Sequence, residues 1–264
     1  MENLTPWRSA IKLPVISPQN NNWKSAELEA ILKIAIGTCL VYYQHTRICT
    51  TLSGGLDSSL CLAIIRSLVG LNVEIHTFTT GGSIRHPDIQ AARLVSKIFG
   101  TTHHELIPTQ QKIEQAQKKV FSTWQDEPKR MANVGVFLTY DHIAKNGFKS
   151  VIAHDGIDEL MGGYWEHRQP NDENEKIKAF ETFWGNLKKD HLLLLTRKAQ
   201  YFGIEVIFPY LQQAVIEYIS TIPVNERTTR QMNKIPLRII AEKYLPREII
   251  DRKKVGFCSV LDTH

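Results

Sequence analysis

The sequence predicts an α/β protein: a doubly wound, mostly parallel sheet with a helical C-terminal portion. Three observations carry that expectation. Short β-branched runs alternate with segments of helical period over residues 25–172, which is the pattern of βαβ units with helices on both faces of a sheet. The segment after the first run is apolar almost all round, as a helix buried between layers must be. From about Glu173 onward helical runs dominate.

Taken in order, polar "SPQNNNWKS" leads into "AELEAILKIAIGTCLVYY", where Leu28, Ile31, Ile34 and Ala35 recur at helical spacing. "RICTTL" is the first strand. Leu60, Cys61, Leu62, Ala63, Ile64, Ile65 and Leu68 make the buried helix. "VEIHTFTT" is the second strand, and "HPDIQAARLVSKIFG" a helix opened by Pro87 and stopped by Gly100. "THHELIPT" is the third strand. The helices "QQKIEQAQKKVFSTW" and "NVGVFLTYDHIAKNG" follow, and "KSVIAHDG" is the fourth clear strand. Beyond the polar connector "HRQPNDENEK" no strand stands out among "EKIKAFETFWGNLKKDHLLLLTRKAQYFG", "LQQAVIEYISTI" and "IPLRIIAEKYL".

With 264 residues, 42% hydrophobic and 22% charged, the composition is that of a globular chain with a sizeable core. The net charge of +5 suits an anionic ligand such as a nucleotide without pointing to nucleic acid. Cys39, Cys49 and Cys61 sit in apolar surroundings and no CxxC occurs, so buried free thiols are expected rather than a disulfide or zinc framework. No basic-then-apolar leader opens the chain, and Lys33 interrupts its longest apolar run, so a cytoplasmic protein without membrane association is expected.

The chemistry concentrates in "CTTLSGGLDSSLCLAIIRSL". A strand, then Ser53-Gly54-Gly55-Leu56-Asp57-Ser58-Ser59, then a helix is a physical recipe for holding polyphosphate. The glycines let backbone approach a ligand, Ser53, Ser58 and Ser59 supply hydroxyls, and the helix presents unpaired amides and a positive dipole end. Asp57 would repel phosphate unless a Mg²⁺ lies between them, since that ion takes oxygens from one or two carboxylates together with phosphates. The motif is neither a Walker A loop nor GxGxxG.

This loop resembles that of the ATP pyrophosphatase ("PP-loop") superfamily, whose members cleave ATP between the α and β phosphates. Further segments resemble the synthetase domain of asparagine synthetases: "GTTHHEL", "QDEPKRM", "VIAHDGIDELMGGYWEHR", "FGIEVIFPYL" and "LRIIAEKYLPREIIDRKKVGF". They run in the family's order over nearly the whole chain. The resemblance implies a doubly wound, mostly parallel five-stranded sheet of the adenine nucleotide alpha-hydrolase-like fold: residues 1–24 as an N-terminal extension, 25–172 as the ATP-binding core and 173–264 as a helical part that completes the active site.

It also implies ATP and Mg²⁺ as cofactors and a two-step reaction. A carboxylate is adenylated with release of pyrophosphate, and ammonia or another amine then displaces AMP. The expected nucleotide site comprises Leu52, Ser53, Gly54, Gly55, Asp57, Ser58, Ser59, Thr80, Ala153, His154, Asp155, Gly156 and Lys254. The expected metal ligands are Asp57 and Asp158, the second otherwise readable as the cap of a short helix in a solvated turn. Asp155, Arg252 and Lys254 are the expected catalytic groups, the first for positioning the intermediate or accepting a proton, the cations for phosphate charge. His103 and His104, adjacent on a strand, point to opposite faces, so one packed and one exposed ring is expected rather than a joint metal site.

Two departures stand out. The family's Ser-Gly is Ala153-His154 here, which places a bulky ring against the nucleotide as a reshaped wall, a new base or a satisfied buried histidine. Family Arg and Asp positions in the acceptor segment are Ile207 and Gln212, so the carboxylate need not be aspartate. The residues before the loop leave no room for the glutaminase domain of glutamine-dependent asparagine synthetases. A separate glutaminase subunit, free ammonia or another amine is therefore expected as the nitrogen source. Small-molecule carboxylate and amine substrates are the expected partners, with no membrane and no nucleic acid, and a homo-oligomer stays open. The alternatives are a nucleotide-binding subunit that works only with a partner, and an adenylating PP-loop enzyme of tRNA modification.

Overall fold

A computed structural model describes residues 22–43, 47–253 and 261. Helix α1 (Ser25–Tyr43) precedes strand β1 (Arg47–Thr51), helix α2 (Leu56–Val69), β2 (Glu74–Thr80), α3 (Pro87–Phe99) and β3 (Thr102–Leu106). Then come α4 (Gln110–Thr123), α5 (Met131–Lys145), β4 (Ser150–Ile152), α6 (Ile157–Met161), α7 (Trp165–Arg168) and α8 (Glu173–Leu187). One π-helical turn, Lys188–Leu192, joins α8 to α9 (Leu193–Tyr201). Strand β5 (Glu205–Ile207), a 3₁₀ turn (Pro209–Leu211), α10 (Gln213–Thr221), α11 (Val224–Arg227), α12 (Ile235–Ala241) and α13 (Arg247–Ile250) complete the described chain.

All five strands are parallel, in the order β3-β2-β1-β4-β5. The doubly wound expectation therefore holds. The stretch after Glu173 is not helical throughout, however: Glu205, Val206 and Ile207 pair with Ser150, Val151 and Ile152. Three residues are too few for alternation to register in the sequence. Helices α2 and α3 cover one face with α1 packed on α2, while α4, α5 and α9 cover the other. Strands β1 and β2 are accordingly buried on both faces and rich in β-branched residues, as parallel strands are, while the edge strand β3 is half-buried. Ser58–Ile65 of α2 are all buried.

Local signals set the boundaries. Pro87 opens α3 while the His86 ring accepts the Asp88 amide, and Gly100 ends the helix in the left-handed conformation. Cys39, Cys49 and Cys61 are free and buried, as expected, and burial pushes the Cys39 thiol up to about 12. His103 and His104 do take opposite faces, but neither is exposed. His103 meets the Thr77 hydroxyl at 2.8 Å, and His104 stacks on Phe78 and meets His76 at 2.9 Å. Helices on both sides of this edge strand explain the difference. Among the described residues no helix is long and apolar enough to cross a membrane.

Candidate active site

The sheet changes winding direction between β1 and β4, whose ladder pairs Thr50 with Ile152. In an open α/β sheet that switch opens a crevice at the carboxyl ends of the strands. The sequence puts its two unusual turns there, Ser53–Ser59 after β1 and Ala153–Asp158 after β4.

Leu52 extends β1, its amide donating to the Phe78 carbonyl and its own carbonyl accepting from the Thr79 hydroxyl. Gly54 has φ +66°, and a Cβ there would lie 2.4 Å from the Ala91 carbonyl carbon, so only glycine fits between loop and α3. Gly55 caps α2 without a side-chain bond, leaving its first amides directed into the crevice. Ser58 gives its proton to the Gly55 carbonyl and accepts from Ser53, which in turn accepts the Gly55 amide. Two of the three loop hydroxyls therefore hold the turn. Ser59 is fully buried, its oxygen without a hydrogen bond among the described residues. The Thr80 hydroxyl is turned toward Thr139 of α5, 2.8 Å away, so its backbone is what borders the crevice.

Asp57 and Asp158 are brought together around one cation. Lys234 Nζ lies 2.5 Å from Asp57 Oδ2 and 2.6 Å from Asp158 Oδ1, and the lysine side chain is buried. Lys234 itself has φ +52°, the only non-glycine residue among those described with positive φ. Gly163 makes the arrangement possible, because a Cβ there would sit 1.6 Å from Asp158 Oδ1 and 2.8 Å from Lys234 Cε. The Tyr210 hydroxyl donates to the Asp57 carbonyl at 2.8 Å and fixes the loop from below. Asp158 is neither a cap nor a solvated turn residue: Gly156 caps α6, and the Asp158 side chain is 13% exposed.

Among the described residues no three His, Cys, Asp or Glu side chains are placed to hold a metal alone. Two carboxylates converging on one positive charge nevertheless fit a divalent cation whose remaining ligands are phosphate and water oxygens.

The β4 turn supplies the rest. The Ala153 amide donates to the Ile207 carbonyl, and Gly156 at φ +91° makes room for Leu211. Thr50 Oγ1 lies 3.1 Å from the Ile152 carbonyl and 3.2 Å from His154 Nε2; Thr51 Oγ1 lies 3.4 Å from Nδ1. The two threonine hydroxyls thus meet both ring nitrogens of His154. Burial lowers its pKa to about 4. His154 is thus a satisfied ring in the crevice wall. Asp155 meets His191 of the π turn, with Oδ1 and Nε2 2.5 Å apart. Glu159 accepts from the Tyr164 hydroxyl at 2.9 Å, and burial raises its pKa.

Arg252 reaches back onto the loop, its Nη2 donating to the Ser53 carbonyl at 3.1 Å and meeting Asp88 Oδ1 at 2.6 Å, while Nε meets the Gly54 carbonyl at 3.3 Å. Lys254 lies outside the described residues.

Sequence reasoning missed Lys234, His191, Asp88 and Tyr210. The first two are a lysine before Ile-Pro and a histidine within a charged helical run, and neither carries a local signal. Pro87-Asp88 read only as a helix start.

Fold and site define a doubly wound parallel α/β protein with a crevice at the switch point of its sheet, bordered by the Ser53–Ser59 and Ala153–Asp158 turns. The model of the asparagine synthase family matches residues 27–199 and 173–264, and the chain belongs to that family. Among its relatives, chicken (Gallus gallus) glutamine-hydrolysing asparagine synthetase is 32% identical over 223 residues, 81% of this chain and 39% of that protein. A rice (Oryza sativa subsp. japonica) glutamine-hydrolysing asparagine synthetase is 31% identical over 229 residues, 78% and 38% respectively. The chain thus spans about two fifths of the length of the relatives it matches. A solved Methanocaldococcus jannaschii structure, described as a predicted subunit of tRNA methyltransferase, covers 75% of this chain and 87% of its own. Its TM-score of 0.34 and 17% identity are too slight to bear on function.

Proposed function

We propose that the chain is the synthetase part of an ATP-dependent, AMP-forming amide ligase. A substrate carboxylate attacks the α-phosphorus and displaces pyrophosphate, and ammonia or another amine then attacks the acyl carbon and displaces AMP. The observation that supports it most is the convergence of Asp57 and Asp158 on one cation beside the Ser53–Ser59 turn. A nucleotide-binding crevice does not otherwise need two largely enclosed carboxylates where phosphate must lie.

In this reading Asp57 and Asp158 hold Mg²⁺, which when bound offsets polyphosphate charge. The α2 amides and the loop backbone from Leu52 to Gly55 receive the phosphates, with Ser58, Ser59, Thr80, Ala153, His154 and Gly156 shaping the nucleotide site. Arg252 keeps the loop in its phosphate-ready turn, and Lys254 is the cation for charge building on the α-phosphate. Asp155 receives the proton shed by the attacking nitrogen. With Ile207 and Gln212 replacing the family's Arg and Asp, the acceptor carboxylate need not be aspartate. Nitrogen comes from free ammonia, a glutaminase partner or another amine, and the reaction is cytoplasmic.

The test is ATP–pyrophosphate exchange with Mg²⁺ and a panel of carboxylates starting from aspartate, on wild type and Asp57→Ala. Exchange should appear with one carboxylate and fall about 100-fold or more in the variant, on the scale of losing a charge stabiliser. ATP binding without exchange under any carboxylate would overturn the ligase reading and favour a subunit that works only with a partner.

A further inference from the structure

We propose that His191 and Asp155 form one proton-accepting pair for the nitrogen-attack step, with His191 the positioning residue that holds Asp155 and passes its proton to solvent. This rests on the ligase reading above.

The pairing is a feature of the fold. His191 Nε2 and Asp155 Oδ1 are 2.5 Å apart although 36 residues separate them in sequence. Asp155 comes from the turn after β4. His191 comes from the π turn Lys188–Leu192, where one helical path widens between α8 and α9. Such single-turn widenings redirect side chains and recur at functional sites.

The partners of the other acids in the crevice differ in kind. Asp57 and Asp158 meet the ammonium of Lys234, and Glu159 meets the Tyr164 hydroxyl. Asp155 meets an imidazole, the side chain whose ordinary pKa lies closest to neutral. The pair also reaches water: Asp155 is 27% and His191 43% exposed, against 16% and 13% for Asp57 and Asp158. A proton taken inside the crevice therefore has a way out through His191. Among the described residues, the titratable groups that feel the pair from neighbouring elements include Tyr140 of α5, His154 beyond β4, Glu159 of α6 and Tyr164.

The chemistry calls for one such acceptor. The nitrogen lone pair forms the C–N bond, and the acyl C–O bond breaks with its electrons going to the AMP phosphate. That leaving group is already weakly basic and needs no proton. The nitrogen must lose one. Asp155 takes it, the imidazole relieves Asp155, and water carries it away. A carboxylate alone is a weak base at pH 7, and coupling it to an imidazole brings the acceptor nearer the working pH.

The test measures both half-reactions on His191→Gln, whose side-chain amide can still donate to Asp155 but cannot carry a proton. Adenylation is read by ATP–pyrophosphate exchange with the carboxylate selected above. Amide formation is read with ammonium chloride, from pH 5.5 to 9. The ratio of exchange to amide formation should rise about 100-fold, the low end of a general-base contribution. Expressed per free ammonia, the acid limb of the amide-forming pH profile should flatten. Asp155→Asn should behave alike, and the double variant should be little worse than either, as groups acting as a unit are.

Equal loss of both steps would overturn the proposal and make the pair part of the nucleotide site. An unchanged ratio with an unchanged pH profile would overturn it in favour of a structural contact. Absence of exchange in the wild type would instead refute the ligase reading, and the proposal with it.

Discussion

Replacing Lys234 by methionine tests the centre of the site without any assumption about substrate. The ammonium lies 2.5 and 2.6 Å from its two carboxylate oxygens, so those oxygens are at most about 5.1 Å apart. Two unlike-charge contacts disappear, and the two carboxylates no longer share the ammonium between them. At an effective dielectric of 20, their repulsion at that distance is about 3 kcal/mol. Removing one member of a buried ion cluster costs about 3–5 kcal/mol, the same range. Lys234→Met should therefore lower stability by about 3 kcal/mol in chelator, roughly 6–12 °C in Tm for a chain of this size. Mg²⁺ at about 10 mM should recover much of that, because binding to the folded state alone adds stability by mass action. In the wild type Mg²⁺ must displace a resident ammonium, so its stabilising effect should be smaller. Thermal unfolding of both proteins with and without Mg²⁺ reads all four quantities. A folded variant with unchanged Tm, or one that Mg²⁺ stabilises no more than the wild type, would refute the reasoning.

Further outcomes follow from other contacts. His154 and His167 are held neutral by burial with pKa values lowered to about 4, so stability should be full above pH 6.5 and fall between 6.5 and 4 as the unfolded chain takes up protons the folded one refuses. The slope is at most about 1.4 kcal/mol per pH unit per histidine. It should ease in His167→Phe, and urea midpoints from pH 7 to 5 that coincide in both proteins would contradict it. Glu29, lowered to about 2 chiefly by Lys243, acts in a separate window below pH 4.5. Lys198 and Glu127 form a fully buried pair. Lys198→Met should cost up to about 3 kcal/mol, because it leaves the buried carboxylate only Arg197 at 3.5 Å, and Lys198→Met/Glu127→Leu markedly less, since a buried pair is replaceable by apolar packing. Equal urea midpoints for single and double variants would show otherwise. Gly163→Ala must push Asp158 off its position, so Mg²⁺-dependent ATP binding by calorimetry should weaken about tenfold or more, and undiminished affinity would remove Asp158 from the site.

What the sequence revealed and what it hid divide along physical lines. Ser53–Ser59 was readable because the glycines answer local backbone demands: Gly54 sits at φ +66° against α3, and nothing larger fits. The helix after it was readable because a segment apolar on every side has nowhere to go but inside. Strand β5 was not, because it makes three ladder pairs and follows a helical run without a break in polarity. Lys234 and His191 were invisible for a different reason. Their roles depend on partners 177 and 36 residues away, and nothing near them in the chain anticipates either meeting. Asp158 was legible only in company with Asp57, since an acidic turn reads equally well as solvated surface.

The position of Arg252 has a consequence for the order in which this protein comes into being. The Ser53–Ser59 turn comes early, yet two of its carbonyls are held by a guanidinium some two hundred residues further on. On the ribosome all five strands emerge before that clamp exists, and domains generally organise from the N-terminus as synthesis proceeds. A nascent chain can thus lay down its sheet while the turn between β1 and α2 still lacks its clamp. The turn is held only once Arg252 folds back onto it: a chain cut short before that residue would keep much of its core and lose the clamp on the loop.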